Sequence, residues 1–557
     1  MYKKIKFIGI PVIFILFVFM MLFFLYKQNT VTIFVIPSEN GPDITATVSS
    51  KTSETEISAF QTADGHYFLF LPSYAEHKYV NFDLEGFSID SPGNIFTLKT
   101  SSGLEFTIDG KYTLTLLTGS DIPTVSLTLK HDLSYIQLDK ELSDSGSALV
   151  LSPEGSTIYS GKLKSIHGRG NTSWEQDKKP FNLELSDPVS LLGSGTSLQD
   201  KYCLISSTDE TFLRNKISYG MAKCMDAATT AQELVNLYIN NEYQGVYELW
   251  ERITPETLGI TDLEQETKTL NTMSGPPSQF TTGRYLDDWN HSVTGKWWNY
   301  PMNPSSINGG YLLEADQAIR YGNEASGFTL KSGAYIVSKS PTMLTGEQYH
   351  YISSYTQACE NAMQENVGNT EYGTLSNYID TQSFVTKYLI KEVSKNIDCS
   401  STSQFFYKDT NGLLKAGPPW DYDWAYGVSR TYGSEYEHTD YGIDFMDPEG
   451  FSARNIPGSL IWWQLLYYNN AFYEDLTSTY ANTLYPWLSQ VVEQYLPEWE
   501  SNLADSAAMD YIRWNRTDTS ELSAVLDAYH GKVAQVSDFI SSRKEFLSRE
   551  WTTAVQE

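Results

Sequence analysis

The chain has 557 residues, 41% of them apolar and 14% aromatic, enough for two or three packed domains and too apolar for a chain disordered throughout. Its 39 basic residues against 68 acidic ones leave a formal charge of -29 at pH 7. That charge repels polyanions, so nucleic acid is not expected as a partner and a cationic or metal-bridged one fits better.

The chain opens with Lys3, Lys4 and Lys6, followed by an uncharged apolar run over 7–26. About twenty such residues span a hydrocarbon core. Because the lysines precede the run, the positive-inside tendency puts the N-terminus in the cytoplasm and the bulk of the chain on the extracytoplasmic face of a cell membrane, crossed once. The run ends in Phe23, Phe24, Leu25 and Tyr26 without the small-residue cleavage pattern of a signal peptide, so residues 1–28 are read as a cytoplasmic tail and uncleaved transmembrane anchor.

Residues 31–121 contain short alternating runs such as TVTIFVIP, HYFLFLP and YTLTLLT between Gly, Pro, Asp and Asn, the pattern of a small β-sandwich. It carries no cluster of His, Cys or acidic residues and reads as a spacer. From 122 to 550, strand patterns mix with longer helical ones, which predicts one large α+β domain. Asp209 is the expected N-cap of a helix in DETFLRNKISYGMAKC, and ELVNLYINNEYQGVYELWERI reads as a hairpin with Asn240, Asn241 and Gly245 as turn residues. Residues 270–310, rich in turn formers and aromatics, lack a period and read as an insertion loop. Large apolar residues at helical spacing predict a helical part over 455–550. Cys203, Cys224, Cys359 and Cys399 have no short paired spacing, which leaves one bridge or free thiols open and indicates neither a zinc site nor a dense disulfide framework.

Residues 380–427 concentrate the chemistry. Asp380 should cap a helix with Phe384, Tyr388, Leu389 and Val393 on one face, which delivers the chain to Asn396, Ile397 and Asp398. QFFYK, the turn DTNG and LLKAG then read as a tight hairpin that runs into GPPWDYDWAYG, where Trp420, Tyr422, Trp424 and Tyr426 surround Asp421 and Asp423. Such aromatics act as wedges that fix a loop and limit water around its carboxylates. The order helix, carboxylate, hairpin, carboxylate is the one protein kinases use, in which one Asp meets the acceptor hydroxyl and the other holds the cation that bridges nucleotide phosphates.

Six segments in order, HGRGNTSWEQDKKPFNLEL, DETFLRNKISYGMA, VNLYINNEYQGVYELWERI, GGYLLEAD, KNIDCSSTSQFFYKD and PPWDYDWAYG, make residues 122 to about 520 resemble the CotH family of spore coat proteins and their relatives. The resemblance implies an atypical protein-kinase-like bilobal α+β fold. It also implies transfer of the ATP γ-phosphate, with Mg²⁺ or Mn²⁺, to Ser or Thr hydroxyls of protein substrates. Carried over residue by residue, Asp398 matches the catalytic-loop Asp and Asp421 the metal-binding Asp, with Asp423 a further metal ligand. Arg169, Lys178 and Lys179 match positions near the nucleotide phosphates, Lys179 ahead of Lys178, Arg214 is a second phosphate contact or an ion-pair partner, and Glu251 falls where a nucleotide hinge would lie. Where kinases commonly place an Asn for a second ion, this chain has Ser403, with Gln404 beside it, both neutral oxygen donors. The alternative is a non-catalytic surface or spore-coat protein that uses a degenerate kinase-like domain to bind a protein or carbohydrate, with the aromatic-rich 280–300 segment as its contact.

Overall fold

The computed structural model describes residues 28–90, 96–98, 103–193, 198–284, 292–316, 324–396, 402–427 and 460–553. The chain divides into two compact units, Met1–Ser207 with Ala231–Glu251 and Trp499–Gly531, and Thr208–Thr230 with Arg252–Glu498 and Lys532–Glu557. Sheets and helices are mixed throughout, which fits a CotH kinase-like domain of the α+β class expected from the sequence. Among the described residues no helix is long and apolar enough to cross a membrane; the apolar run over 7–26 lies outside them.

In the first unit, alternating residues build two five-stranded sheets. Thr30–Ser38 turns Val31, Ile33 and Val35 inward at 0% exposure, the period-two pattern of a strand with one buried face. It pairs antiparallel with Gly41–Ser49 and parallel with Tyr79–Leu84, while Tyr112–Thr118 sits between Tyr67–Leu71 and Leu104–Ile108 in the second sheet. Phe82 of one sheet meets Phe106 of the other edge to face. This sandwich is fastened to the rest of its unit. The buried Tyr238 hydroxyl donates to the Phe70 carbonyl at 2.9 Å, and the Ser58 amide donates to the Asn241 carbonyl.

The remainder of that unit is a closed seven-stranded barrel in the order Thr124–Leu129, Ser143–Leu151, Thr157–Gly168, Phe181–Val189, Gln199–Ile205, Glu242–Glu251, Gln232–Ile239. The last strand closes on the first in parallel, Thr124 opposite Asn236. Inward residues such as Leu127, Leu163, Phe181, Leu204 and Leu237 fill the interior. The Gln232–Ile239 and Glu242–Glu251 hairpin forms, with Asn240 and Asn241 both at positive φ in its turn, whereas Gly245, expected as a turn residue, lies within the second strand opposite Leu237. At Gly245, φ is +106°, and a Cβ there would lie 2.3 Å from an Asp510 carboxylate oxygen, so only glycine fits.

The second unit is organised around an antiparallel seven-stranded sheet in the order Gln279–Arg284, Ser292–Trp298, Gly327–Thr329, Tyr335–Ser340, Tyr311–Asp316, Gln404–Lys408, Lys415–Ala416. Its first two strands fall within the expected 270–310 insertion loop. Phe280 stacks on its strand partner Trp297, a cross-strand aromatic pair that supports strand pairing where the turn formers obscured the period. The helix expected after Asp209 starts at Arg214, because Phe212 at φ +61° interrupts helical geometry. Asp209 still serves as its acceptor, taking N–H bonds from Thr211 and Arg214 at 2.8 and 2.9 Å. Helices at Trp462–Tyr467, Asn470–Thr479, Leu496–Arg513 and Leu522–Thr553 account for the helical C-terminal part. Cys203, Cys224 and Cys359 are free thiols; Cys399 lies outside the described residues.

Candidate metal centre

The Thr381–Ser394 helix begins where the sequence places it, with the Asp380 carboxylate accepting from the Ser383 N–H at 3.0 Å. From Phe384 on, all its residues are buried, so it is a core helix rather than an amphipathic surface one. It stops at Lys395, whose φ of +48° turns the chain to Asn396. Asp398 lies outside the described residues. The predicted hairpin then forms between Gln404–Lys408 and Lys415–Ala416, and Gly417 donates to the Phe405 carbonyl at 2.7 Å as the chain leaves it. A Cβ on Gly417 would stand 2.8 Å from that oxygen, so the close approach requires glycine.

The loop that follows is held residue by residue. The Asn396 side-chain amide donates to the Asp421 carbonyl at 2.8 Å, and the Tyr422 amide donates to Asn215 Oδ1 at 2.8 Å. Thr208 donates its hydroxyl to the Asp423 carboxylate and accepts the Trp424 indole N–H at 3.1 Å. Arg214 Nε donates to the Ala425 carbonyl at 3.0 Å, the Tyr426 amide reaches the Ser394 carbonyl at 2.8 Å, and the Tyr426 hydroxyl pairs with Ser218 Oγ at 2.7 Å. Tyr422 and Tyr426 are buried, whereas Trp420 and Trp424 are half-buried and Trp420 meets Phe405 edge to face. Aromatic burial and hydrogen bonds thus share the work of fixing this loop.

Within it, Asp421 adopts a left-handed backbone at φ +67°, a conformation that Asp tolerates better than most residues and that persists only when its surroundings enforce it. Its carboxylate accepts from Ser403 Oγ at 3.3 Å and shares a hydrogen bond with Asp423. Withdrawal from water and the neighbouring Asp421 charge push the Asp423 carboxyl well above the usual carboxylate range, with Asp209 adding to the shift against the Thr208 hydrogen bond. Two carboxyls this close, one of them pushed toward its neutral form, are an arrangement that a hard divalent cation would relieve, and carboxylate and hydroxyl oxygens are the donors such a cation takes. The residues therefore fit Mg²⁺ or Mn²⁺. Among the described residues no group of three or more His, Cys, Asp or Glu is placed to hold an ion. Mg²⁺ commonly takes one or two protein carboxylates and keeps several waters, so a pair of carboxylates is donor set enough for it.

The other expected site residues fall into two sets. Arg214, Ser403, Asp421 and Asp423 come together in the second unit, but Arg214 is buried and its guanidinium is bound by Asp209 and the Ala425 carbonyl, so it supports the loop rather than offering a phosphate contact. Gln404 spends its oxygen on the Trp463 indole N–H at 3.1 Å, which leaves Ser403 as the neutral oxygen on Asp421. Arg169, Lys178, Lys179 and Glu251 belong to the first unit. The Arg169 amide donates to the Pro180 carbonyl, and its side chain is half-buried. Lys178 is buried, with its ammonium on Asp510 and on the Val246 carbonyl at 2.5 Å. Lys179 donates to the Trp174 carbonyl at 2.7 Å and lies over the Trp174 ring. Glu251, 4% exposed, accepts from the Ala231 amide through one oxygen, while burial raises its pKa.

Thr208, Asn215, Ser218 and Asn396 escaped the sequence reading as site residues. The signal was present, because Arg214, Asn215 and Ser218 put polar groups at i, i+1 and i+4 of a helix whose residues there are all buried, and buried polar groups need partners.

The family model described as CotH kinase protein matches residues 166–547, more than half of the chain. The chain belongs to the CotH kinase protein family. Comparison with curated proteins gives no match. The CotH segment contains every expected site residue and every loop contact described above, and it starts inside the Thr157–Gly168 strand, so the β-sandwich and the first two barrel strands precede it.

Proposed function

We propose that this CotH chain is an ATP- and divalent-cation-dependent kinase that phosphorylates Ser or Thr hydroxyls of proteins, tethered to a cell membrane through 7–26 with its bulk on the extracytoplasmic face. The observation that carries the proposal is the pairing of Asp421 with Asp423 in a loop fixed at each residue from 421 to 426. In this reading the two carboxylates hold Mg²⁺ or Mn²⁺, Ser403 and Thr208 orient them, and Asp398 accepts the proton of the attacking hydroxyl. A bound cation would supply charge neutralisation on the nucleotide phosphates. The chain's own share is positioning, because a carboxylate already held needs no reorganisation when the charge it meets develops. Arg169 and Lys179 keep the phosphate role that the resemblance gives them.

The test is phosphate transfer from γ-labelled ATP by the full chain, to itself and to a generic acceptor protein, with Mg²⁺ or Mn²⁺. Incorporation abolished by both Asp398→Asn and Asp421→Asn is expected; no incorporation with either ion overturns the proposal. In that event the second reading, a binding protein, gains support from the stack of Phe280 on Trp297 and Trp297 on Tyr349, with Phe280 46% exposed and His350 at its rim.

A further inference from the structure

Lys387 sits in the middle of the Thr381–Ser394 core helix, 3% exposed. A buried lysine ordinarily ends on a carboxylate, as Lys178 does. Lys387 instead donates to two backbone oxygens, the Pro418 carbonyl at 2.8 Å and the Gly417 carbonyl at 3.3 Å. Burial, and then the charge of Lys391 one turn on, press its pKa well below the ordinary lysine value.

The placement answers a need set by sequence. After the hairpin the chain reads Gly417, Pro418, Pro419, Trp420, Asp421, and the two prolines have no N–H to enter a ladder. The segment is nonetheless buried, so its carbonyls require donors from elsewhere. A lysine amine has at least two N–H bonds whether or not it is protonated, and here it serves two successive carbonyls at once. The same helix that ends beside Asn396, and so fixes the Asp421 carbonyl, therefore also fixes the chain three and four residues before Asp421.

We propose that Lys387 is a positioning residue for the metal centre: by clamping the Gly417 and Pro418 carbonyls it sets where the Asp421 carboxylate stands. This deepens the kinase reading and rests on its assignment of Asp421 as a metal ligand. Lys387 touches neither carboxylate, so its effect passes through the backbone of the loop.

The experiment compares the full wild-type chain with Lys387→Met, Lys387→Gln and Lys387→Arg. Mn²⁺ binding is read from the free-ion paramagnetic resonance signal, amide exchange of the 420–424 segment is followed without metal, and phosphate transfer is titrated with Mn²⁺. Outer partners of metal ligands commonly cost about 10- to 100-fold in metal affinity when lost. Lys387→Met is expected to weaken Mn²⁺ binding in that range, speed exchange in 420–424 and raise the Mn²⁺ requirement more than it lowers kcat, with Lys387→Arg restoring most of the affinity. Lys387→Gln, which keeps an N–H donor, should fall between and carries the test if the Met variant does not fold. Unchanged Mn²⁺ affinity and unchanged local exchange in a folded variant overturn the proposal, whatever happens to overall stability. If wild type binds Mn²⁺ but transfers no phosphate, the kinase reading fails while the affinity comparison still decides Lys387; if wild type binds no Mn²⁺, both fall.

Discussion

Two adjacent lysines have different surroundings in this protein. Lys178 is enclosed, paired with an Asp510 that Arg516 also contacts, while Lys179 is half-buried and reaches the Trp174 carbonyl. Breaking a buried pair from one side leaves an uncompensated charge and costs about 3–5 kcal/mol, whereas losing one ordinary hydrogen bond costs about 1 kcal/mol. Asp510→Asn should therefore lower the urea-unfolding free energy several times more than Lys179→Met; equal losses would show that Lys178 is not held as described. Burial alone would raise the Asp510 carboxyl, but Lys178 and Arg516 hold it below its ordinary value. Its stabilisation is then complete above the unfolded-state pKa of about 4 and lost as pH falls through the lower folded value, so the wild type should lose more stability on acidification than Asp510→Asn. The sequence could put Lys179 ahead of Lys178 but could not show that Lys178 is enclosed, since the residue that pairs with it lies hundreds of positions away. Asp421 and Asp423 were legible as a pair because two carboxylates two residues apart stand out among the aromatics of GPPWDYDWAYG. The left-handed backbone of Asp421 was not, because nothing in an Asp codes for φ.

At the scale of elements, the Thr381–Ser394 helix was readable from its cap and apolar spacing, and the hairpin after it from its turn. The cap can be tested directly. Asp380→Ala removes the acceptor for the Ser383 N–H and should cost about 1 kcal/mol in urea unfolding, while Asp380→Asn, which keeps a capping oxygen, should cost much less. Equal losses from the two substitutions would mean that Asp380 acts through charge, for which Lys415 at 3.8 Å is the available partner. The strands at Gln279–Arg284 and Ser292–Trp298 were hidden by composition: glycine, threonine and tryptophan give little period, and cross-strand stacking becomes visible only once the partners are known. The late start of the Arg214–Cys224 helix was hidden for a related reason, because Asp209 does accept N–H bonds as a cap would, but across a turn broken at Phe212.

For the whole molecule, the formal charge of -29 sets a background that no single pair removes. Self-repulsion of this size opposes compaction and is screened by salt. With a chelator present to exclude divalent effects, raising NaCl from about 20 mM to about 500 mM should raise Tm, since the Debye length falls below typical charge spacings. A fall in Tm would show that attractive pairs such as Lys178 with Asp510 outweigh the net repulsion. The sequence revealed the α+β class and the six family motifs, whereas the closure of seven strands into a barrel depends on a long-range pairing that local patterns do not encode.

That closure also governs the order in which the chain can fold. Thr124–Leu129 completes the barrel against Gln232–Ile239, so the strand made first must wait for one made more than a hundred residues later. The wait extends further, because Asp510 and its neighbours, which neutralise Lys178 and occupy the space above Gly245, belong to the same unit and come near the end of the chain. Contacts so distant in sequence make for slow assembly. A chain emerging N-terminus first must therefore keep an open barrel until Gln232–Ile239 has been made, and a buried-type lysine without its counter-charge until Asp510 has, the interval in which a chaperone or a holding surface would have the most to offer.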